Sequence, residues 1–381
     1  MTLSSNKRPV TRGLAPAVIA LAGSLALAAC GASNENANAT SGNGADAASS
    51  SSAKQLDGTL NGAGSSAQQA AMQAWTASFS SQQSGVTVNY DPVGSGGGRD
   101  QFLSGGTDFA GSDAALSDDE VTKARSRCGG AGYFELPDYI SPIAVVYNLP
   151  GVKDLQLSPD TAAKIFSGTI TTWNDPAIKA DNPKANLPST KITPVHRSDD
   201  SGTTKNFTDW LHQTAPSVWT NDAGGTWPLS GGEAGAQTSG LVAAVKGGEG
   251  TIGYADDSQA GGMGVAKIKV GSEFVAPSAE GAAKVVGSSK DVSGRSQYDH
   301  ALSLNRTTTD PSEYPLVLVS YHIGCLQYSD ANKADLMKAF FGFVVSKQGQ
   351  QAAASSAGSA PISDSSRQTA MQAINAIKAG G

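Results

Sequence analysis

The chain has 381 residues, of which 45 are glycine and only 16% are charged, and its formal net charge at pH 7 is −6. An acidic chain argues against nucleic acid as a partner, because binding to a phosphate backbone depends on lysine and arginine. The four histidines and three cysteines form no cluster with metal-ligand spacing, so we expect neither a metal nor a cofactor.

The first 29 residues have the pattern of a secretory signal peptide. Lys7, Arg8 and Arg12 precede a short apolar run from Leu14 to Ala29. The run ends in Leu-Ala-Ala-Cys, which resembles the bacterial lipobox, where the cysteine (here Cys30) receives lipid and becomes the mature N-terminus. A plain secretory signal is the alternative. Cleavage removes three basic residues and no acidic ones, which changes the net charge to −9. We expect the lipid to hold the protein on the extracytoplasmic face of the cell membrane.

Residues 30–54 consist almost entirely of alanine, serine, asparagine and glycine. Such a composition cannot bury enough apolar surface to fold, so we predict a disordered tether. Residues 55–381 are long enough for two domains of ordinary size.

The body begins with alternating strands, glycine- and serine-rich turns and helices, which is typical of an α/β domain. The apolar patterns predict strands at Thr59–Leu60, Val86–Tyr90 and Thr107–Gly111, and a helix at Ala67–Phe79. In domains of this kind, ligands bind at the carboxyl ends of the strands.

Two very apolar stretches, Ile140–Tyr147 and Tyr314–Tyr321, look like buried strands that cross between two lobes. The segment between them has its own α/β pattern, with helices at Lys205–Thr214 and Gly240–Lys246 and a strand at Gly250–Tyr254. We therefore predict a first lobe from residues 55–141 and 315–381, a second lobe from residues 142–314, and two hinge strands that let the lobes close on a ligand. Two C-terminal helices are predicted, at Leu336–Gln348 and Ser366–Ala379.

Three Gly/Ser-rich turns, each followed by a helical stretch, predict an anion site. They are Gly62–Ala67, Gly94–Gly98 and Ser198–Thr204. The first N–H groups of a helix lack intrahelical partners and carry partial positive charge, so several such ends at one point would bind a small anion. Taken alone, the Ser198–Thr204 turn favours an ordinary helix cap, and Arg197 directly ahead of it together with the two other turns favours the anion site.

Arg197 and Asp113 indicate which anion. Arg197 offers a planar fork of donors for two oxygens, with hydroxyls from Ser201 and Thr203 close by and Asp199 placed to hold it. A carboxylate such as Asp113 repels an anion unless the anion carries a proton that it can accept. Phosphate carries one near neutral pH and sulfate does not. The alternative is that Asp113 caps a turn.

The sequence resembles the phosphate-binding proteins of the bacterial phosphate ABC importer, the PstS family, from about Gly58 to the C-terminus. The motifs that carry the resemblance are Gly62–Ala67, Asn89–Gly98, Thr107–Asp113, Arg197–Thr203, Trp227-Pro228 and Gly250–Tyr254. It implies an α/β, two-lobed periplasmic-binding-protein fold of the type II kind, with the ligand in the interlobe cleft.

The resemblance also implies which residues bind phosphate. They are Ser66, Ala67, Ser95, Asp113, Arg197, Ser201, Gly202 and Thr203, with Asp199 in support. Ala67 stands where the family often has an aromatic residue, and Asp200 where glycine is frequent. We expect Asp200 to point to solvent.

Cys128 and Cys325 remain if Cys30 is lipidated. Two thiols in an oxidising compartment most simply form a disulfide, and two separate buried thiols are the alternative. Such a pair is not a general mark of the family.

The function that we expect is capture of phosphate and its delivery to a membrane permease, without catalysis. One alternative keeps the fold and changes the ligand to sulfate, molybdate or tungstate. Another is a secreted phosphatase that uses Ser66, Ser95 or Ser201, although such enzymes usually need clustered metal ligands.

Overall fold

The computed structural model describes residues 55–380, so the predicted signal peptide, the lipidation site at Cys30 and the tether lie outside the described residues. The strands are β1 (Asp57–Gly64), β2 (Gly85–Asp91), β3 (Phe109–Ser112), β4 (Tyr133–Asn148), β5 (Gln156–Leu157), β6 (Thr193–Arg197), β7 (Glu233–Gly235), β8 (Thr251–Asp256), β9 (Gly264–Val270), β10 (Glu273–Val275), β11 (Lys290–Asp291), β12 (Leu302–Ser303), β13 (Val317–Cys325), β14 (Gln327–Tyr328) and β15 (Lys378–Ala379). The helices are α1 (Gln69–Gln82), α2 (Ser95–Leu103), α3 (Asp118–Cys128), α4 (Pro159–Phe166), α5 (Pro176–Asp181), α6 (Gly202–Thr214), α7 (Gln237–Gly247), α8 (Ala279–Ser288), α9 (Ala331–Val345), α10 (Lys347–Ala357) and α11 (Asp364–Ala376).

The α/β pattern predicted from the sequence is confirmed, and the two predicted C-terminal helices differ from those in the structure. The stretch predicted as one helix at Leu336–Gln348 is divided, because the Ser346 hydroxyl accepts a hydrogen bond from Gly349 N and caps α10. The last predicted helix ends at Ala376, and Lys378–Ala379 pairs with β14 instead.

One mixed sheet contains eleven of the strands among residues 55–380, in the order β2-β1-β3-β13-β4-β8-β6-β7, with β9, β5 and β10 attached beside β4. The strands β1, β2 and β3 are parallel, and β13 runs antiparallel between β3 and β4. The 16-residue strand β4 takes part in both halves of this sheet. Its first part, Tyr133–Pro142, pairs with β13, and its last part, Ile143–Asn148, pairs with β8. The fold is therefore α/β with two lobes.

The chain crosses between the lobes at two adjacent points. Ile143 N donates to Leu316 O at 2.8 Å, and the Tyr314 hydroxyl donates to Ile143 O at 2.8 Å. The residue boundaries of the lobes stay a prediction. Part of the middle segment packs on the first half of β4. The main chain of Asp299 forms an isolated β-bridge with that of Glu135, and His300 N donates to Glu135 O at 3.0 Å.

Cys128, the last residue of α3, forms a disulfide with Cys325, the last residue of β13, across 197 residues of sequence. The pairing predicted from the cysteine count is thus present. The main hydrophobic core includes buried side chains from both lobes, and a second cluster of buried residues, among them Phe102 and Tyr321, surrounds this disulfide.

No helix within residues 55–380 has the length and apolar character needed to span a membrane. Over the same residues, no three or more His, Cys, Asp or Glu side chains are grouped so that they could ligate a metal ion.

Candidate functional site

The three Gly/Ser-rich turns meet where β1, β3 and β6 end. Ser66, which precedes α1, lies against the start of α7, where its Oγ is 2.9 Å from Thr238 Oγ1. Gly96 at the start of α2 donates its N–H to Asp200 O, just ahead of α6, at 3.1 Å. Four helix starts therefore surround one small region, and each contributes partial positive charge and N–H donors.

The start of α6 fits this region because its first residue is Gly202. A Cβ at this position would lie 2.7 Å from both Asp113 Cβ and Ser95 Oγ. Ser201 caps the helix, and its Oγ accepts from Thr204 N at 3.2 Å. The absence of a side chain at Gly202 thus brings the α6 N-terminus into contact with the end of β3 and the start of α2.

Arg197, the last residue of β6, is the cation of the site and is only 3% exposed. Its Nε donates to Asp199 Oδ1 at 2.8 Å, and its Nη2 donates to Asp199 Oδ2. Its Nη1 lies 3.4 Å from Thr238 Oγ1. Burial alone would raise the pKa of Asp199, but the hydrogen bonds and charge of Arg197 lower it overall. Asp199 therefore stays ionised and fixes the guanidinium, the contact that the sequence predicted.

Asp113 follows β3 and is also only 3% exposed. Its Oδ2 accepts from the Thr203 hydroxyl and its Oδ1 from the Ser320 hydroxyl, both at 2.9 Å. Its main chain is held as well, since Asp113 N donates to Ser95 Oγ at 3.1 Å and Asn206 Nδ2 donates to Asp113 O at 2.6 Å. The carboxylate is thus fixed by residues of α6 and β13.

Burial raises the pKa of Asp113, because a charged carboxylate loses solvation inside the protein. Hydrogen bonds from Ser65, Ser320 and Thr203 and the charge of Arg197 act in the opposite direction. A buried carboxylate held by donors of this kind is suited to accept one further hydrogen from a ligand.

The predicted residues are thus brought together. Ser66, Ser95, Asp113, Arg197, Ser201 and Thr203 are each at most 3% exposed. Ala67 is also buried, but its N–H already donates to Ser65 Oγ at 3.1 Å. Ala67 therefore helps to form the first turn.

Sequence reasoning missed three polar residues of the site. Ser320 is a polar residue within an otherwise apolar stretch, which is the one signal that could have drawn attention to it. Thr238 and Asn206 lie near the starts of α7 and α6, where polar residues are common and carry little information. Their contacts depend on how distant segments meet.

The prediction that Asp200 points to solvent holds in part. The Asp200 side chain is 49% exposed, yet its Oδ1 lies 3.6 Å from Arg99 Nη2.

The chain is similar to known proteins over most of its length. A family model described as a PBP superfamily domain matches residues 39–348. The phosphate-binding protein PstS2 of Mycobacterium bovis is 34% identical over 362 residues, which is 93% of this chain and 96% of that protein. The phosphate-binding protein PstS 3 of Mycobacterium leprae is 37% identical over 324 residues, which is 84% of this chain and 87% of that protein.

Solved structures support the fold. The periplasmic phosphate-binding protein PfluDING, solved with phosphate, aligns with a TM-score of 0.65 at 22% identity, covering 82% of this chain and 92% of that one. A phosphate-binding protein from Stenotrophomonas maltophilia aligns with a TM-score of 0.60 at 18% identity, covering 83% of this chain and 93% of that one. These likenesses concern the architecture alone.

Proposed function

The chain belongs to the PstS family of phosphate-binding proteins, within the PBP superfamily, and we propose that it captures inorganic phosphate and delivers it to the permease of an ABC importer. The observation that carries the proposal is that Arg197, Asp113 and four helix starts surround one buried region. Arg197 and the helix N-termini supply donors to the phosphate oxygens, and Asp113 accepts the remaining phosphate hydrogen.

We infer specificity for phosphate over sulfate from Asp113. Because its carboxylate is buried and already accepts hydrogen bonds from Thr203 and Ser320, it is held in place in the site. Sulfate would present a lone pair to a negative oxygen, a contact that costs affinity when no water can enter. Molybdate and tungstate carry no proton near neutral pH either, so the same argument applies to them.

We infer binding without catalysis. The hydroxyls of Ser66, Ser95 and Ser201 are engaged with Thr238, with Asp113 N and with Thr204 N respectively. Within residues 55–380, these three serine hydroxyls form no hydrogen bond with a histidine that could activate them as nucleophiles. Incubation with a chromogenic phosphate ester tests this inference, and turnover would contradict it.

We further propose that the mature protein is a lipoprotein on the extracytoplasmic face of the membrane. The proposal rests on the signal sequence and on Cys30. A lipid anchor would keep the binding protein close to the permease that it supplies.

The proposed function is tested by titrating the ligand-free protein with phosphate and monitoring binding by calorimetry and by tryptophan fluorescence. We expect one phosphate per chain and no displacement by a hundredfold excess of sulfate. The absence of phosphate binding, or equal competition by sulfate, would refute the proposal. Arg197→Gln should weaken binding strongly, because it removes the buried cation.

A further inference from the structure

Arg99 is a buried cation beside the site that the proposed phosphate contacts do not use. It lies on α2, and its side chain is 9% exposed. Its Nε donates to Glu120 Oε1 at 2.8 Å and its Nη1 to Ser112 Oγ at 3.0 Å, both within the first lobe. The remaining nitrogen, Nη2, lies 3.6 Å from Asp200 Oδ1 of the second lobe.

Asp200 is fixed at this point by its surroundings. Its main-chain oxygen accepts from Gly96 N at 3.1 Å. A Cβ at Gly96 would come within 2.5 Å of Asp200 Cβ and Cγ, and a Cβ at Gly225 would collide with Asp200 Oδ1. The Asp200 side chain therefore lies against two glycines, one from each lobe, with one carboxylate oxygen towards Arg99.

We propose that Arg99 and Asp200 form an ion pair across the cleft which exists only when the lobes are closed and which slows the release of phosphate. This inference rests on the proposed function. Glu120 and Ser112 hold Arg99 on the first lobe whether the cleft is open or closed. Closure adds a second carboxylate, so the pair stabilises the closed form and not the open one.

Simple electrostatics predicts the opposite effect of Asp200 on phosphate binding. An acidic side chain near an anion site repels the ligand, and its removal should tighten binding. If the carboxylate instead stabilises closure, its removal should accelerate release. Because Asp200 is half exposed, its removal is expected to raise the rate of phosphate dissociation about two- to fivefold.

Stopped-flow tryptophan fluorescence on the wild type and on Asp200→Asn separates these possibilities. We expect phosphate to dissociate two- to fivefold faster from Asp200→Asn, with Kd raised by the same factor. The difference should shrink at 1 M NaCl, where the Debye length is about 3 Å. Glu249→Gln, which removes an exposed acid at a position outside the contacts described above, is the control for net charge and should match the wild type.

Two further variants complete the test. Asp200→Lys places a like charge beside Arg99 and should release phosphate faster still. In Arg99→Gln, the Asp200→Asn change should have little further effect. Unchanged or slower release from both Asp200 variants overturns the ion pair while leaving the proposed function intact, whereas a wild type that does not bind phosphate overturns both.

Discussion

Substitution of Asp113 by asparagine tests whether the site recognises the hydrogen of phosphate. In the wild type, the carboxylate accepts hydroxyl hydrogens from Thr203 and Ser320 at 2.9 Å and keeps lone pairs for a ligand. Asparagine has nearly the same size, but it replaces one acceptor oxygen by an NH2 donor. The variant should therefore lose an acceptor for phosphate and gain a donor for sulfate.

The size of the effect follows from the charge of the group. A hydrogen bond to a charged group contributes about 1.5–3 kcal/mol. Each 1.4 kcal/mol corresponds to a factor of ten in affinity, so the preference for phosphate over sulfate should fall by roughly 10- to 150-fold. For phosphate alone the loss should be smaller, because removal of the negative charge offsets part of it.

Competition calorimetry with phosphate and sulfate on the same protein preparation measures this ratio directly. Asp119→Asn is the matched control, since Asp119 is an exposed acid in the first turn of α3. A ratio for Asp113→Asn within threefold of the wild type would refute the role given to the carboxylate, even if phosphate binding itself were weakened.

Three further predictions concern stability and anchoring. Burial raises the pKa of Asp256 to about 7, although hydrogen bonds from Ser258 lower it in part, so its contribution to stability is fully present below about pH 4 and is lost as the pH rises towards 7. The free energy of unfolding of Asp256→Asn in urea should therefore rise relative to that of the wild type between pH 4 and pH 8, by as much as about 4 kcal/mol. The same difference in free energy at both pH values would contradict this. Replacement of both Cys128 and Cys325 by serine should lower the free energy of unfolding by about 5 kcal/mol in the chain-entropy limit, because the closed loop is long; a loss below about 1 kcal/mol would show that the disulfide contributes little. Cys30→Ser should abolish incorporation of labelled palmitate and release the protein from membranes, and retention of the label would exclude Cys30 as the lipidation site.

The sequence was sufficient for the parts of the site that are local in the chain. Arg197 and Asp199 are two residues apart, so their ion pair follows from the spacing as soon as the strand ends there. The start of α6 was equally accessible, because serine followed by glycine is a common way to begin a helix.

The contacts between distant segments could not be read in the same way. The Ser320 hydroxyl reaches Asp113 across 207 residues. The register of β13 against β4 shifts between Ser320 and Tyr321, and the residue of β4 that is left over is Asp138. A shift of this kind redirects side chains next to a site, and it depends on the assembled sheet more than on any local pattern. The pairing of Arg99 with Asp200 is likewise set by how the lobes meet.

The position of β13 also determines the order in which the molecule can be completed as the chain emerges from its N-terminus. This strand fills the gap between β3 and β4, although the ribosome makes it about 170 residues after β4 has ended. A nascent chain that stops before Val317 has two unpaired strand edges in the middle of its future sheet, and such edges favour aggregation. Truncated chains should therefore depend on chaperones or be degraded, whereas a chain that extends past Cys325 can close the sheet and then oxidise its thiols.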